Sequence, residues 1–146
     1  PADFEIEILE SAAIGKINEA AKVIERCKAL GVSVSLDDFG TGYAALDYLK
    51  RLPAQTLKID QSFVRDMLSD QDDMAIVESV IYMANRFKRP MLAEGVETLE
   101  HAKALMALGC ELAQGYGIAR PMPPEAVSEW LTHWTQRHEW RALATL

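Results

Sequence analysis

The stretch Leu36-Asp37-Asp38-Phe39-Gly40-Thr41-Gly42-Tyr43 decides how the rest of the chain is read. An alternating β-branched run, Val32-Ser33-Val34-Ser35-Leu36, leads into it through Gly31 and predicts a short strand. Two acids then stand side by side where that strand should stop. Within a strand, neighbouring side chains point to opposite faces, so Asp37 and Asp38 would not serve one site there. At a strand end the backbone turns, and Gly40 and Gly42 permit the turn because glycine takes positive φ without steric cost. Converged carboxylates repel unless a proton or a cation sits between them. The plain reading is a polar strand-to-helix turn with an aspartate cap. Two acids followed by two glycines at a strand end point instead to a metal or phosphate site.

Outward from this stretch the chain alternates. Phe4 to Leu9 reads as a strand, and Ile14 to Leu30 has apolar residues at helical spacing closed by Gly31. Ala44 to Leu52 is a short helix stopped by Pro53, and Thr56 to Asp60 is the next strand. Gln61 to Leu68 reads as a connecting turn. A long helix then starts among Asp70, Asp72 and Asp73, acids that suit the positive end of its dipole. Pro90 to Glu94 is a strand, Thr98 caps the helix Leu99 to Leu108, and Gly109 ends it. Cys110 to Gln114 is the last strand, and a final amphipathic helix spans about 125 to 137. The tail, Arg137 to Leu146, is either its continuation or a frayed end. Strands alternating with helices predict a parallel sheet with crossover helices. No linker interrupts the pattern, so residues 1–146 read as one domain with a core over about 4 to 124.

Composition sets limits on the chemistry. The chain has 146 residues, a net charge of −7 and 49% apolar residues, an ordinary globular balance. An acidic chain is not built to hold duplex nucleic acid, which needs a basic face. A phosphorylated substrate would require a bound cation to invert the local charge. No apolar run approaches the roughly 20 residues of a membrane span, and there is no signal-peptide pattern, so no direct membrane contact is expected. Cys27 and Cys110 stand far apart without metal-type neighbours and read as reduced, buried thiols. His101, His133 and His138 lie in or near helices without ligand spacing.

Each predicted strand ends in a polar residue: Glu7, then Asp37 and Asp38, then Lys58 and Asp60, then Glu94, then Gln114. A doubly wound sheet concentrates its site at one switch point. A (β/α)₈ barrel assembles it from many strand C-termini, and five polar strand ends fit the barrel better. Lys58 facing a barrel interior must be paired or functional, because burying it alone costs several kcal/mol; the plain alternative is a salt bridge to a strand-end carboxylate. Glu94 and Glu97 flank a strand-end glycine, as ligand or base with a support, or as an acidic helix start. Asp60 reads as a turn or cap residue. Gln114 would hold a water or a substrate oxygen, or merely end its strand. The Asp38-Phe39-Gly40 triplet has no accompanying ATP loop and does not indicate a kinase.

The motifs Leu36–Tyr43, Leu57-Lys58-Ile59-Asp60, Ala93-Glu94-Gly95-Val96-Glu97-Thr98 and Gln114-Gly115-Tyr116, with Arg120-Pro121 following, closely resemble the EAL domains from Phe4 to about Pro124. EAL domains are bacterial phosphodiesterases for the second messenger cyclic di-GMP. The resemblance implies a TIM-like barrel holding two Mg²⁺ or Mn²⁺ ions at its strand ends and hydrolysing cyclic di-GMP to linear pGpG, in a cytoplasmic domain. It assigns Glu7, Asp37 and Asp38 as metal ligands and Lys58 as the residue that positions the attacking water. Glu94 and Gln114 join the catalytic group. Glu97 supports Glu94, Glu10 props the loop from Phe39 to Tyr43, and Arg120 contacts substrate. Leu9 stands where the family usually has threonine, and the Glu-Ala-Leu signature with the Asn-bearing strand after it is absent.

The expectation is therefore the C-terminal portion of an EAL barrel, five or so parallel strands alternating with helices. Such a piece would associate with a second copy or with the missing N-terminal part, or cover its sheet edges with rearranged helices, and would be weak or inactive alone. Ile6, Ile8, Val32, Val34, Leu57 and Ile59 are expected to line its incomplete interior. The rival functions are a cyclic di-GMP receptor that does not hydrolyse and a protein-interaction module.

Overall fold

A computed structural model describes residues 3–13, 15–41 and 45–143. Gly42, Tyr43, Ala44, the expected helix start at Ile14 and the last three residues of the tail lie outside them. Five strands form one sheet: β1 (Glu5–Leu9), β2 (Ser33–Phe39), β3 (Thr56–Ile59), β4 (Met91–Ala93) and β5 (Leu112–Ala113). All neighbours are parallel and the spatial order equals the chain order. That order has no reversal point, so right-handed crossovers place every intervening helix on the same face. A doubly wound sheet is thereby excluded, and the architecture is that of the C-terminal part of a TIM-like barrel.

The crossovers are α1 (Ile17–Ala29), α2 (Ala45–Arg51), α3 (Gln61–Asp66) with α4 (Gln71–Arg86), and α5 (Leu99–Ala107). Ile24 of α1, Val77, Val80, Ile81 and Ala84 of α4, and Leu105 of α5 are buried together with Val34, Leu36, Phe39, Leu57 and Ile59 of the strands. Each such aliphatic contributes about 1.5–3 kcal/mol on burial. Asp70 caps α4 by accepting the Asp72 and Asp73 amides at 2.8 and 3.3 Å, and Thr98 caps α5 through His101 N at 3.2 Å.

The structure corrects several expectations. Val34, Leu57 and Ile59 do not line the barrel interior. Lys58 shares its face with Glu7, to which it is ion-paired, and strand alternation then sends Leu57 and Ile59 to the opposite, helix-covered side. By register Ile6, Ile8 and Val34 lie there too, while Val32 precedes β2. By the same register the inner face carries Glu5, Glu7, Ser33, Ser35, Thr56 and Lys58, together with Leu9, Leu92 and Leu112. Residues 61–66 form a helix rather than a turn, because Asp60 caps them and Val64 and Met67 are buried. β5 is only two residues long, as befits an edge strand with one neighbour. Cys110 is buried, but Cys27 is only half-buried; both are free thiols.

Beyond the sheet, a turn of 3₁₀-helix at Pro124–Ala126 leads to α6 (Val127–Trp134), and a separate α7 (His138–Leu143) follows. The tail thus neither continues α6 nor frays at once. Trp130 and Trp134 stack within α6 at 5.4 Å, and a break at 135–137 folds the tail back so that Trp140 tilts against Trp134 at 5.2 Å. No helix among the described residues is long and apolar enough to cross a membrane.

Candidate functional site at the strand ends

The convergence of Asp37 and Asp38 comes from an irregularity inside β2. Leu36 pairs with Leu57 and Phe39 pairs with Ile59, so two residues of β2 stand opposite the single residue Lys58. This is a β-bulge, and it places both aspartates on the inner face that alternation would otherwise divide between them. Asp38 itself takes φ 55°, the left-handed region that aspartate tolerates better than most side chains. The strand therefore runs through the acids to Phe39 instead of ending at Leu36. Gly40, at φ 104°, makes the turn beyond, and its N–H donates to Glu10 Oε2 at 3.1 Å. Glu10 is 1% exposed, so this bond ties the acidic loop to the end of β1.

Lys58 is the hub. Its side chain is 4% exposed, and Nζ lies 2.6 Å from Glu7 Oε1, 2.7 Å from Glu94 Oε1 and 3.0 Å from Asp37 Oδ1. Burial works to lower its pKa, but the three carboxylates together hold it above the ordinary lysine value. It is a fully charged lysine joining the ends of β1, β2 and β4 through β3. Among the described residues, Asp37, Asp38 and Glu94 offer oxygens within 4.8 Å of one another, the donor set a hard divalent cation prefers. Glu7 is not one of this trio and is joined to it through Lys58.

Asp38 pays electrostatically for its place. Burial, then a hydrogen bond with Asp60, then the charges of Asp37, Asp60 and Glu94 push its pKa from 3.8 to about 6. Asp60 shifts the other way: burial opposes the shift, but hydrogen bonds from Ser62 and the Arg65 charge hold it below the ordinary range. Asp60 thus caps α3 and partners Asp38 at once. Sequence reasoning finds only the cap. The place of Asp60 two residues beyond Lys58, on the same strand end, is the signal that could have found its second role.

Glu94, Glu97, Gln114 and Arg120 meet at a cavity of about 590 Å³ beside the carboxylates. Gln61 and Arg65 of α3 also line it, and sequence reasoning missed both because it did not form that helix. The β4 and β5 ends are bolted together by backbone: Val96 N donates to Gln114 O at 3.1 Å and Gly117 N to Val96 O at 2.9 Å. Side chains would not fit this seam. A Cβ on Gly115 would lie 2.3 Å from Val96 N, and one on Gly117 2.5 Å from the Glu97 carbonyl carbon. Arg120 lies over the Tyr116 ring at 4.6 Å, a cation–π contact on the cavity wall. Gln114 and Glu97 are exposed there, and neither is among the three carboxylates paired with Lys58.

Comparison with known proteins agrees with this arrangement. The EAL domain family model matches residues 1–121. A cyclic di-GMP phosphodiesterase of Pseudomonas aeruginosa, NbdA, is 45% identical over 128 residues, which is 88% of this chain and 16% of that protein. The solved c-di-GMP complex of the phosphodiesterase PaMucR superposes with a TM-score of 0.82 at 42% identity, over 87% of this chain and 51% of that one. The Klebsiella pneumoniae BlrP1 manganese/cy-diGMP complex does so with a TM-score of 0.74 at 35% identity, over 83% of this chain and 31% of that one. The chain thus spans about half of the PaMucR structure and a smaller share of the curated relative. With its sheet order, bulged aspartate pair and lysine hub in place, and with the family model matching most of its length, the chain belongs to the EAL domain family.

Proposed function

We propose that the domain containing this chain hydrolyses cyclic di-GMP to linear pGpG with divalent cations, Mg²⁺ or Mn²⁺, two per site. The observation that carries the reading is the meeting of Asp37, Asp38 and Glu94 within 4.8 Å beside a buried lysine at the strand ends, in a chain 45% identical to a cyclic di-GMP phosphodiesterase. Asp37, Asp38 and Glu94 fit a cation by donor type and spacing, and Glu7 completes the ligand group in this proposal. When bound, such ions supply Lewis acidity toward a phosphoryl oxygen and make water a better nucleophile near neutral pH.

The chain's own residues supply position and charge. Lys58, held charged by its carboxylates, orients the attacking water by hydrogen bonding and balances part of the acidic cluster. Glu94 and Gln114 border the place where that water meets the phosphodiester, and Glu97 supports Glu94 across Gly95. Glu10 fixes the Asp38 loop through Gly40. Arg120 and Arg65 both offer positive charge on the cavity wall to an anionic substrate. Water adds at phosphorus, one phosphodiester P–O bond breaks, and the released sugar oxygen takes up a proton. The proposed setting is the cytoplasm, with the domain acting as a homodimer or completed by the rest of its barrel.

The test is hydrolysis of cyclic di-GMP by the intact domain with Mg²⁺ or Mn²⁺, scored by pGpG, for the wild type and Asp38→Asn. The variant should stay folded and lose turnover. Full activity in that variant would overturn the two-cation assignment, and binding without hydrolysis by the wild type would make the domain a receptor.

A further inference from the structure

The C-terminal helical pair lies beyond residue 121, where the family match ends, yet it reaches back to the site through one side chain. Arg137, in the break between α6 and α7, donates from Nη1 to Gly117 O at 3.2 Å. Its guanidinium lies over Trp134 at 5.2 Å and Trp140 at 5.6 Å. Gly117 belongs to the segment that carries Tyr116 and Arg120, the aromatic and cationic groups of the cavity wall. That segment is already fixed on one side by Gly117 N donating to Val96 O at 2.9 Å. Arg137 holds the carbonyl of the same residue. A second cavity of about 710 Å³, lined by Tyr116, Arg120, Trp130, Arg137 and Trp140 among others, adjoins the first across this segment.

We infer that Arg137 is a positioning residue: clamped by Trp134 and Trp140, it holds the Gly117 carbonyl and so fixes the Tyr116–Arg120 segment for substrate binding. The inference rests on the proposed cyclic di-GMP reading of the site. Arg137 touches neither the carboxylate cluster nor Lys58, so its loss acts on affinity and leaves the chemical step alone. Planarity matters as well as charge, because a guanidinium stacks on indole while donating in its own plane, and an ammonium does not reproduce that geometry. The protein carries its own reporter. All three tryptophans of the chain, Trp130, Trp134 and Trp140, sit in this cluster, so ligand entering beside the segment should change the intrinsic fluorescence.

The experiment compares wild type, Arg137→Ala and Arg137→Lys in the intact domain by three readouts. These are cyclic di-GMP affinity by calorimetry with Ca²⁺ in place of the activating ion, kcat and KM with Mn²⁺, and amide hydrogen exchange at residues 117–119. The alanine variant should raise Kd and KM about fivefold or more with kcat within about twofold, and its 117–119 amides should exchange faster. The lysine variant should recover only part of the affinity. Unchanged Kd and KM in a folded alanine variant, or a kcat loss equal to the KM change, overturns the inference. If the alanine variant fails to fold, Arg137→Gln, which keeps the stem over the indoles, takes its place: a raised Kd with kcat kept supports the inference, and an unchanged Kd overturns it. A wild type that binds without hydrolysing refutes the phosphodiesterase reading but still tests this one through Kd. A wild type that does not bind refutes both.

Discussion

Asp38→Asn in the metal-free intact domain should raise stability at pH 7.5, and the same change in the presence of Mn²⁺ should lower it. The Asp38 carboxyl is moved from 3.8 to about 6 by burial first, then by Asp60, Asp37 and Glu94. In the unfolded chain it loses its proton near 3.8, whereas in the fold it holds the proton to about 6. Below pH 3.8 both states are protonated and the group contributes no difference. As pH rises from 3.8 through about 6 the fold is progressively penalised for ionising it, and above that the penalty is complete. A shift of this size has a ceiling of about 3 kcal/mol, and screening at a partly exposed cleft reduces it to about 1 kcal/mol. Asparagine removes the charge, keeps a partner for Asp60 and tolerates φ 55° as aspartate does. Thermal unfolding with a chelator should therefore show the variant about 3 °C more stable at pH 7.5 and equal to wild type below pH 4. At a Mn²⁺ concentration 100 times Kd the wild type gains about 2.7 kcal/mol that the variant lacks, so the order reverses. A variant less stable than wild type with chelator at pH 7.5, or an advantage that persists unchanged below pH 4, would refute the account of how these acids are held.

Lys58→Ala should lower kcat roughly 100-fold with a much smaller change in KM, as for a group acting on the water; equal loss of both, read by steady-state kinetics, would leave Lys58 a salt-bridge partner only. Gly115→Ala drives a methyl to 2.3 Å from Val96 N and should cost about 1–3 kcal/mol in denaturant unfolding, and a neutral result would show that the β4–β5 seam yields. Burial pushes the Cys110 thiol up to about 11, so at pH 8 a thiol reagent should label Cys27 and spare Cys110 in the native state; fast double labelling would contradict the packing. Finally, the 146-residue chain exposes Phe4 at 72%, Ile6 at 43% and Leu9 at 46% along the open β1 edge, so light scattering should show association that grows with concentration, and a monomer at all concentrations would refute this.

The long helices are legible in the sequence because each carries several turns of one period, and the sheet because short apolar runs with polar ends alternate with them. Val77, Val80, Ile81 and Ala84 mark α4 without help from any distant residue. The six residues of α3 span under two turns, too few for a period to show, so Asp60 is recognisable as a cap while the helix it starts is not. Which sheet face lies inside is not legible either. Alternation in Glu5-Ile6-Glu7-Ile8 says that two faces differ, but the choice between them is made by Lys58 joining Glu7, Asp37 and Glu94 across neighbouring strands. The bulge is a related case. Adjacent aspartates and the glycines after them announce a convergence, and local pattern alone puts it past the strand end. The pairing of Phe39 with Ile59 depends on where β3 lies, which nothing within β2 records. The Trp cluster is hidden because a break at 135–137 interrupts a pattern that otherwise reads as one helix.

The resulting site is held against its own electrostatics, and the holding is done by backbone. Glu7, Asp37, Asp38, Asp60 and Glu94 are faced by buried Lys58, with Arg65 near Asp60 at the rim, and free side chains with that excess of negative charge would move apart. They do not, because Lys58 holds Glu7 and the other four are fixed by something besides their charge. Asp37 and Asp38 are set by the bulge and by Glu10 gripping the Gly40 amide, Asp60 by the Ser62 amide at 2.8 Å, and Glu94 by the glycine-packed seam against Val96 and Glu97. A cluster fixed in this way already has its oxygens gathered before a cation arrives, so little reorganisation opposes binding. The left-handed Asp38 and the intolerance of Gly115 for a side chain follow from the same demand. The stability forfeited at Asp38 in the metal-free state is then the measure of how firmly the fold keeps the cation's place.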